Sequence, residues 1–167
     1  DISRATSFIL DRQEELKIDS ENIVLLGSSA GAEAILHAAY WQDSYKDKSG
    51  QILPADFKYG GVISMAGAIT SLQWINANSA IPSQFFHGTC DNLVPYDNAP
   101  HHYCSPENPG FLMLYGGHAI AEHLRGIGRP YYLVTGCNGG HEWNITPIQK
   151  HLNLIVDFVY NDVVKED

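Results

Sequence analysis

The segment Gly27-Ser28-Ser29-Ala30-Gly31 stands directly after the apolar run Ile23 to Leu26 and directly before the helix-forming run Ala32 to Ala39. A chain that leaves a strand and enters a helix within one residue forces its apex, Ser29, into a strained backbone conformation, and strain of that kind concentrates at functional sites. Strand and helix backbones approach closely on either side of the apex. Gly27 and Gly31 are expected to supply the missing bulk at both positions. Such a turn holds the Ser29 hydroxyl exposed above a sheet. It also aims the Ala30 N–H, at the positive end of the new helix, to where an oxyanion would develop.

A serine nucleophile needs a base and a group to orient that base. Downstream stand an aspartate in His87-Gly88-Thr89-Cys90-Asp91 and a histidine in Gly139-Gly140-His141-Glu142-Trp143. Each follows an apolar run, Gln84 to His87 and Tyr131 to Thr135, which places both on loops at the same carboxyl edge as Ser29. Each interval has room for a helix and the next parallel strand. Taken singly, the pentapeptide also suits an ordinary strand-to-helix connection, Asp91 an Asx turn before Asn92, and His141 a plain loop. Their order and convergence favour Ser29 as nucleophile, His141 as general base and Asp91 as orienting acid, with Asp97 as stand-in if Asp91 points away. His87, His118, His123 and His151 read as packing or surface residues. Ser28 and Trp143 are candidates for substrate binding; Met65, Trp74 and Trp143 suit an acyl or alcohol pocket wall or, more commonly for apolar residues near a sheet end, the core.

The rest of the chain alternates helix and strand, the pattern of a parallel sheet with helices on both faces. The apolar spacing of Ile2, Ala5, Phe8, Ile9 and Leu16 predicts one amphipathic helix over Ile2 to Leu16. Strands are expected at Ile23 to Gly27, Val62 to Ala66, Gln84 to Gly88 and Tyr131 to Thr135, each too uniformly apolar or aromatic to be half exposed. Helices are expected at Ala30 to Tyr40, Gly116 to Arg125 and Pro147 to Val164, with a polar loop at Gln42 to Gly50 and an irregular Pro- and Asn-rich loop at Asn92 to Gly110.

At 167 residues and 44% hydrophobic content, residues 1–167 suffice for one core and are too few for two ordinary domains. No stretch reaches the ~20 apolar residues of a membrane span. A net charge of −9 opposes nucleic acid or an acidic membrane as partner, and Lys46, Lys48 and Lys58 make no basic patch. Three cysteines do not make a disulfide framework. A Cys90–Cys137 bridge is open geometrically, two packed free thiols are the expectation, and Cys104 lies in a Pro-rich loop. No Cys/His spacing matches a metal site, and His101-His102 reads as a solvated pair. The chemistry calls for neither metal nor organic cofactor.

Gly27 to Gly31, the segment His87 to Pro95, and Gly140-His141-Glu142-Trp143 resemble the nucleophile elbow, acid loop and histidine loop of the α/β-hydrolases of carboxylesterase and lipase type. The acid loop looks more like the prolyl-oligopeptidase-like and dienelactone-hydrolase-like branches than the hormone-sensitive-lipase branch. Ala32 departs from the Gly-Gly that often closes the elbow, which affects helix packing alone. The resemblance implies a partial α/β-hydrolase fold of four C-terminal strands, hydrolysis of small-molecule esters through an acyl-enzyme, and Ala30 as one oxyanion donor. It further implies that the strand beginning near Ile23 is paired on its other side by an N-terminal half or a partner chain. In this chain Val24-Leu25-Leu26 would otherwise be an apolar edge with no lysine, proline or bulge to guard it. No His-Gly-Gly-Gly-like segment, the family's source of a second oxyanion donor, occurs upstream, and losing one such donor costs ~10² to 10³ in turnover. A prolyl-oligopeptidase-like peptidase, an acyltransferase and a non-catalytic binding module remain alternatives. So does a homo-oligomer, and the compartment is not indicated.

Overall fold

In the computed structural model, residues 1–41, 53–54 and 56–164 are described. The polar loop expected at Gln42 to Gly50, with Lys46 and Lys48, lies outside them. Among the described residues seven strands are formed: β1 (Val24–Ser28), β2 (Gly61–Met65), β3 (Ala68–Ile69), β4 (Ser83–Gly88), β5 (Asn98–Pro100), β6 (Met113–Gly116) and β7 (Tyr132–Gly136). The helices are α1 (Ile2–Leu10), α2 (Gln13–Leu16), α3 (Ala30–Tyr40), α4 (Gly117–Gly126), α5 (Thr146–Lys150) and α6 (Leu152–Phe158), with a π-helical continuation at Val159–Val164.

β1, β2, β4 and β7 pair in that order, all parallel, so the four strands expected from the apolar runs make one sheet, each shifted by no more than a residue or so from its expected bounds. Alternation along each strand sends side chains to both faces. Leu25, Val62, Phe85 and Leu133 face one layer, where Ile35, Leu36 and Tyr40 of α3 meet Ile120, Ala121 and Leu124 of α4. Val24, Ile63, Met65, Phe86 and Val134 face the other, against Ile155 and Phe158 of α6 and Val163. Tyr40 is fully buried with its hydroxyl hydrogen-bonded to Ser83 Oγ. Burial pushes that phenol up to about 12 against the opposing pull of Ser83 and the Ile81 backbone.

Several expectations are corrected. β2 and β4 are fully buried, but β1 and β7 are half exposed, because each ends the sheet on one side among the described residues. The helix expected over Ile2 to Leu16 breaks between α1 and α2, where Arg12 leaves helical dihedrals and no apolar residue continues the stripe between Ile9 and Ile18 except Leu10 and Leu16. Within the loop expected from Asn92 to Gly110, β5 forms and pairs with β6. Together with β3 these make a second, antiparallel sheet of order β3-β6-β5. The helix expected from Gly116 starts at Gly117 because Met113–Gly116 is strand. The last helix is three segments, kinked at His151 and widened to π geometry from Val159.

Gly27 behaves as expected: a Cβ there would lie 2.5 Å from Gly31 O and 2.8 Å from Ala32 N. Gly31 does not, since a Cβ there meets nothing within 4 Å. The close approach is made by the Gly31 backbone, while its own Cβ direction points to open space. Ala32 is fully buried and faces Gly67, so its departure from glycine is absorbed in helix packing. Cys90 and Cys137 are free and exposed rather than packed, and Cys104 is free and half-buried. No described helix is long and apolar enough to cross a membrane.

Candidate active site

Ser29 sits at the carboxyl end of β1 with φ 52° and ψ −126°, a left-handed value rare for a residue with a Cβ. Its N–H donates to Met65 O at 2.9 Å, and its carbonyl accepts from Glu33 N–H at 3.0 Å, so neighbouring strand and helix hold the strained apex from both sides. The Ala30 N–H opens α3 and belongs to the first turn, whose donors have no carbonyl within the helix.

The acid and histidine loops leave adjacent strands, β4 and β7, and are sewn together. Thr89 N–H donates to Gly136 O at 3.0 Å, Cys90 N–H to Gly139 O at 2.8 Å, and Asn138 N–H to Thr89 Oγ1 at 2.9 Å. Gly88 permits the approach, for a Cβ there would collide with the Gly139 and Gly140 carbonyls. His141 lies in the 3₁₀ turn His141–Asn144. Its Nδ1 is 2.8 Å from Asp91 Oδ2 and its Nε2 is 2.8 Å from Ser29 Oγ. A carboxylate only accepts, so Nδ1 carries the proton and donates to Asp91, leaving Nε2 to accept the serine hydroxyl.

Asp91 is 1% exposed, and each oxygen is engaged. Oδ1 accepts from Leu93 and Val94 N–H at 2.9 and 3.0 Å, and Oδ2 from His141. Burial pushes the carboxyl up, but the facing His87 ring and the hydrogen bonds from His141, Leu93 and Val94 outweigh it and hold the group at about 2. The carboxylate is therefore charged and fixed at neutral pH.

The other expected residues take different places. Ser28 donates its hydroxyl to Asn144 O at 2.7 Å, tying the elbow strand to the turn that carries His141. Trp143 packs with the apolar layer of Ile63, Met65 and Phe86, stacks on His151 and fits over Gly136 and Gly139, where a Cβ would strike its ring. Met65 is buried in that layer, and Trp74 packs against the opposite one. Asp97 pairs with His118 at 3.2 Å instead of His141. His123 Nε2 meets Ile75 O at 2.7 Å. His101 is 3.6 Å from Glu33 rather than wholly solvated. His87, expected as packing, is wholly buried beside Asp91, and its position between two apolar residues and a glycine gave no polar pattern by which to find it. Among the described residues no group of three or more His, Cys, Asp or Glu is placed to hold a metal ion.

No protein-family model and no curated protein sequence matches the chain. Solved structures do match. A thermophilic esterase from the Planctomycetes species Thermogutta terrifontis, in a butyrate-bound structure, superposes with a TM-score of 0.72 at 18% identity, over 99% of this chain and 66% of that one. Esterase PE8 gives 0.59 at 18% identity, over 95% and 58%. An α/β-hydrolase from a Medee basin deep-sea metagenome library gives 0.63 at 16%, over 97% and 63%. The chain has an α/β-hydrolase fold, and spans about three fifths to two thirds of those structures' length.

Proposed function

We propose that this α/β-hydrolase fold carries a serine hydrolase that cleaves small carboxylic esters through an acyl-enzyme. The observation that supports it most is the unbroken line of two 2.8 Å hydrogen bonds from Ser29 Oγ through the His141 ring to Asp91. His141 Nε2 takes the hydroxyl proton as Ser29 Oγ attacks the ester carbonyl, then returns it to the leaving alcohol. Asp91 keeps the ring in the Nδ1–H tautomer and stabilises the imidazolium. Water, deprotonated by the same nitrogen, then attacks the acyl-enzyme and releases the acid.

The Ala30 N–H serves the developing oxyanion, which needs at least one more donor for full effect. Among the described residues β1 has no neighbour on one side, and that open side is where a second donor and an opposite pocket wall would be added. A further strand paired there, from additional chain or a second copy, completes the sheet. Ser28 and Trp143 serve the site from behind, by anchoring the histidine turn.

Hydrolysis of p-nitrophenyl acetate by the protein, and its loss in Ser29→Ala, tests this reading. Equal rates with and without the hydroxyl reject it.

A further inference from the structure

His87 is the penultimate residue of β4, four residues before Asp91, and neither nitrogen of its ring is idle. Gly117 N–H donates to Nδ1 at 3.3 Å, and a backbone amide can only donate, so Nδ1 is bare and the ring proton sits on Nε2. That Nε2–H donates to Val94 O at 3.1 Å. The same nitrogen lies 3.5 Å from Asp91 Oδ2, a distance at which the contact is electrostatic rather than a full hydrogen bond. Val94 in turn donates its own N–H to Asp91 Oδ1. One neutral, fully buried ring thus grips the acid turn twice, once through its backbone and once by facing the carboxylate. The ring cannot drift: Tyr96 meets it edge-on with centroids 5.7 Å apart, and Gly117 presses on its other side, where a Cβ would lie 3.3 Å from Nδ1.

We infer that His87 is a positioning residue for the hydrolytic site: its Nε2–H locks the Asp91 to Val94 turn so that Oδ2 stays aimed at His141 Nδ1. The inference rests on Asp91 acting as the acid of the proposed site. A chain that kept only the Asx turn would let the carboxylate rotate about its Cα–Cβ bond and release the His141 ring. His87 and His141 are the titratable groups that face Asp91, so the carboxyl's own titration reports on the grip.

Two polar replacements separate the bonds. In His87→Gln the amide nitrogen reaches the place of Nε2 and can still donate to Val94 O; in His87→Asn the shorter amide can meet Gly117 but not Val94. With p-nitrophenyl acetate, His87→Asn is expected to lower kcat about 10-fold or more with KM unchanged, the size of one lost hydrogen bond to a charged network. It is also expected to move the Asp91 carboxyl upward from about 2, read by carbon-13 NMR. His87→Gln should restore both. The inference is overturned if the two variants behave alike in kcat and in carboxyl titration while circular dichroism shows both folded. Should His87→Asn not fold, His87→Gln decides alone: near-native kcat and carboxyl titration support the role, and a loss above 10-fold overturns it. The NMR titration needs no turnover, so a protein without esterase activity would defeat the proposed function while the carboxyl titration still judges His87.

Discussion

The two sides of the Ser29 turn are finished to different degrees. Toward β4 and β7, loops are joined backbone to backbone, both oxygens of Asp91 accept hydrogen bonds, and glycines at 88, 136 and 139 let the walls touch. Toward the edge of β1 that has no neighbour among the described residues, Leu26 is 44% exposed and a Cβ on Gly31 would meet nothing within 4 Å. Under the proposed function, proton transfer and oxyanion binding are thus separable tasks. In the proposed reaction, the groups assigned to the proton lie within the described residues, whereas Ala30 is the one residue assigned to the oxyanion.

The largest test strikes the finished side. His141→Ala or Asp91→Asn is expected to lower kcat by about 10⁴-fold in ester hydrolysis, because the nucleophile loses its base or the base its tautomer. A loss under 10-fold for either would mean that the hydrogen-bonded line does no chemistry. Next comes the strand-to-helix contact. Gly27→Ala should cost about 1–3 kcal/mol in urea unfolding, since the new methyl would press on the Gly31 carbonyl 2.5 Å away. An unchanged midpoint would show that the turn relaxes freely.

Acid weakens the finished side in a defined window. The folded Asp91 carboxyl lies at about 2 against an ordinary 3.8, so it binds its proton less readily folded than unfolded. Its contribution, about 2 kcal/mol, is fully present above pH 3.8 and is lost as pH falls through about 2. Between pH 5 and pH 2, wild type should therefore lose about that much more stability than Asp91→Asn. Parallel losses in the two proteins would contradict the charged, hydrogen-bonded state of Asp91.

The smallest effects belong to the open side. Gly31→Ala should raise stability by up to about 1 kcal/mol through helix propensity, and Leu26→Thr should change it by about 0.5 kcal/mol or less. Clear destabilisation by either would show that another segment or a second copy covers this edge in solution.

The same contrast governs what could be read from sequence. The elbow, the order Ser29, Asp91, His141 and the four parallel strands rest on local patterns: a glycine-flanked turn and apolar runs before loops. Whatever depends on which neighbour a side chain meets was not legible. Gly27 and Gly31 look alike in the chain, yet one meets backbone and the other space. The apolar runs of β1 and β7 look as buried as those of β2 and β4, and differ by sheet position alone. β3, β5 and β6 are two to four residues long, too short to show alternation, and are made by pairing. Where the side chains of Ser28 and Trp143 go is likewise not legible in the chain: one meets the Asn144 carbonyl across the site and the other packs into the layer of Ile63, Met65 and Phe86.

The central claim is that Ser29 is a nucleophile activated by His141 and Asp91. Treating the protein with a fluorophosphonate and locating the adduct by mass spectrometry tests it most directly. A single adduct on Ser29, formed far more slowly in His141→Ala and absent in Ser29→Ala, is the expected result. An unlabelled Ser29, or labelling that proceeds equally without His141, would contradict the account.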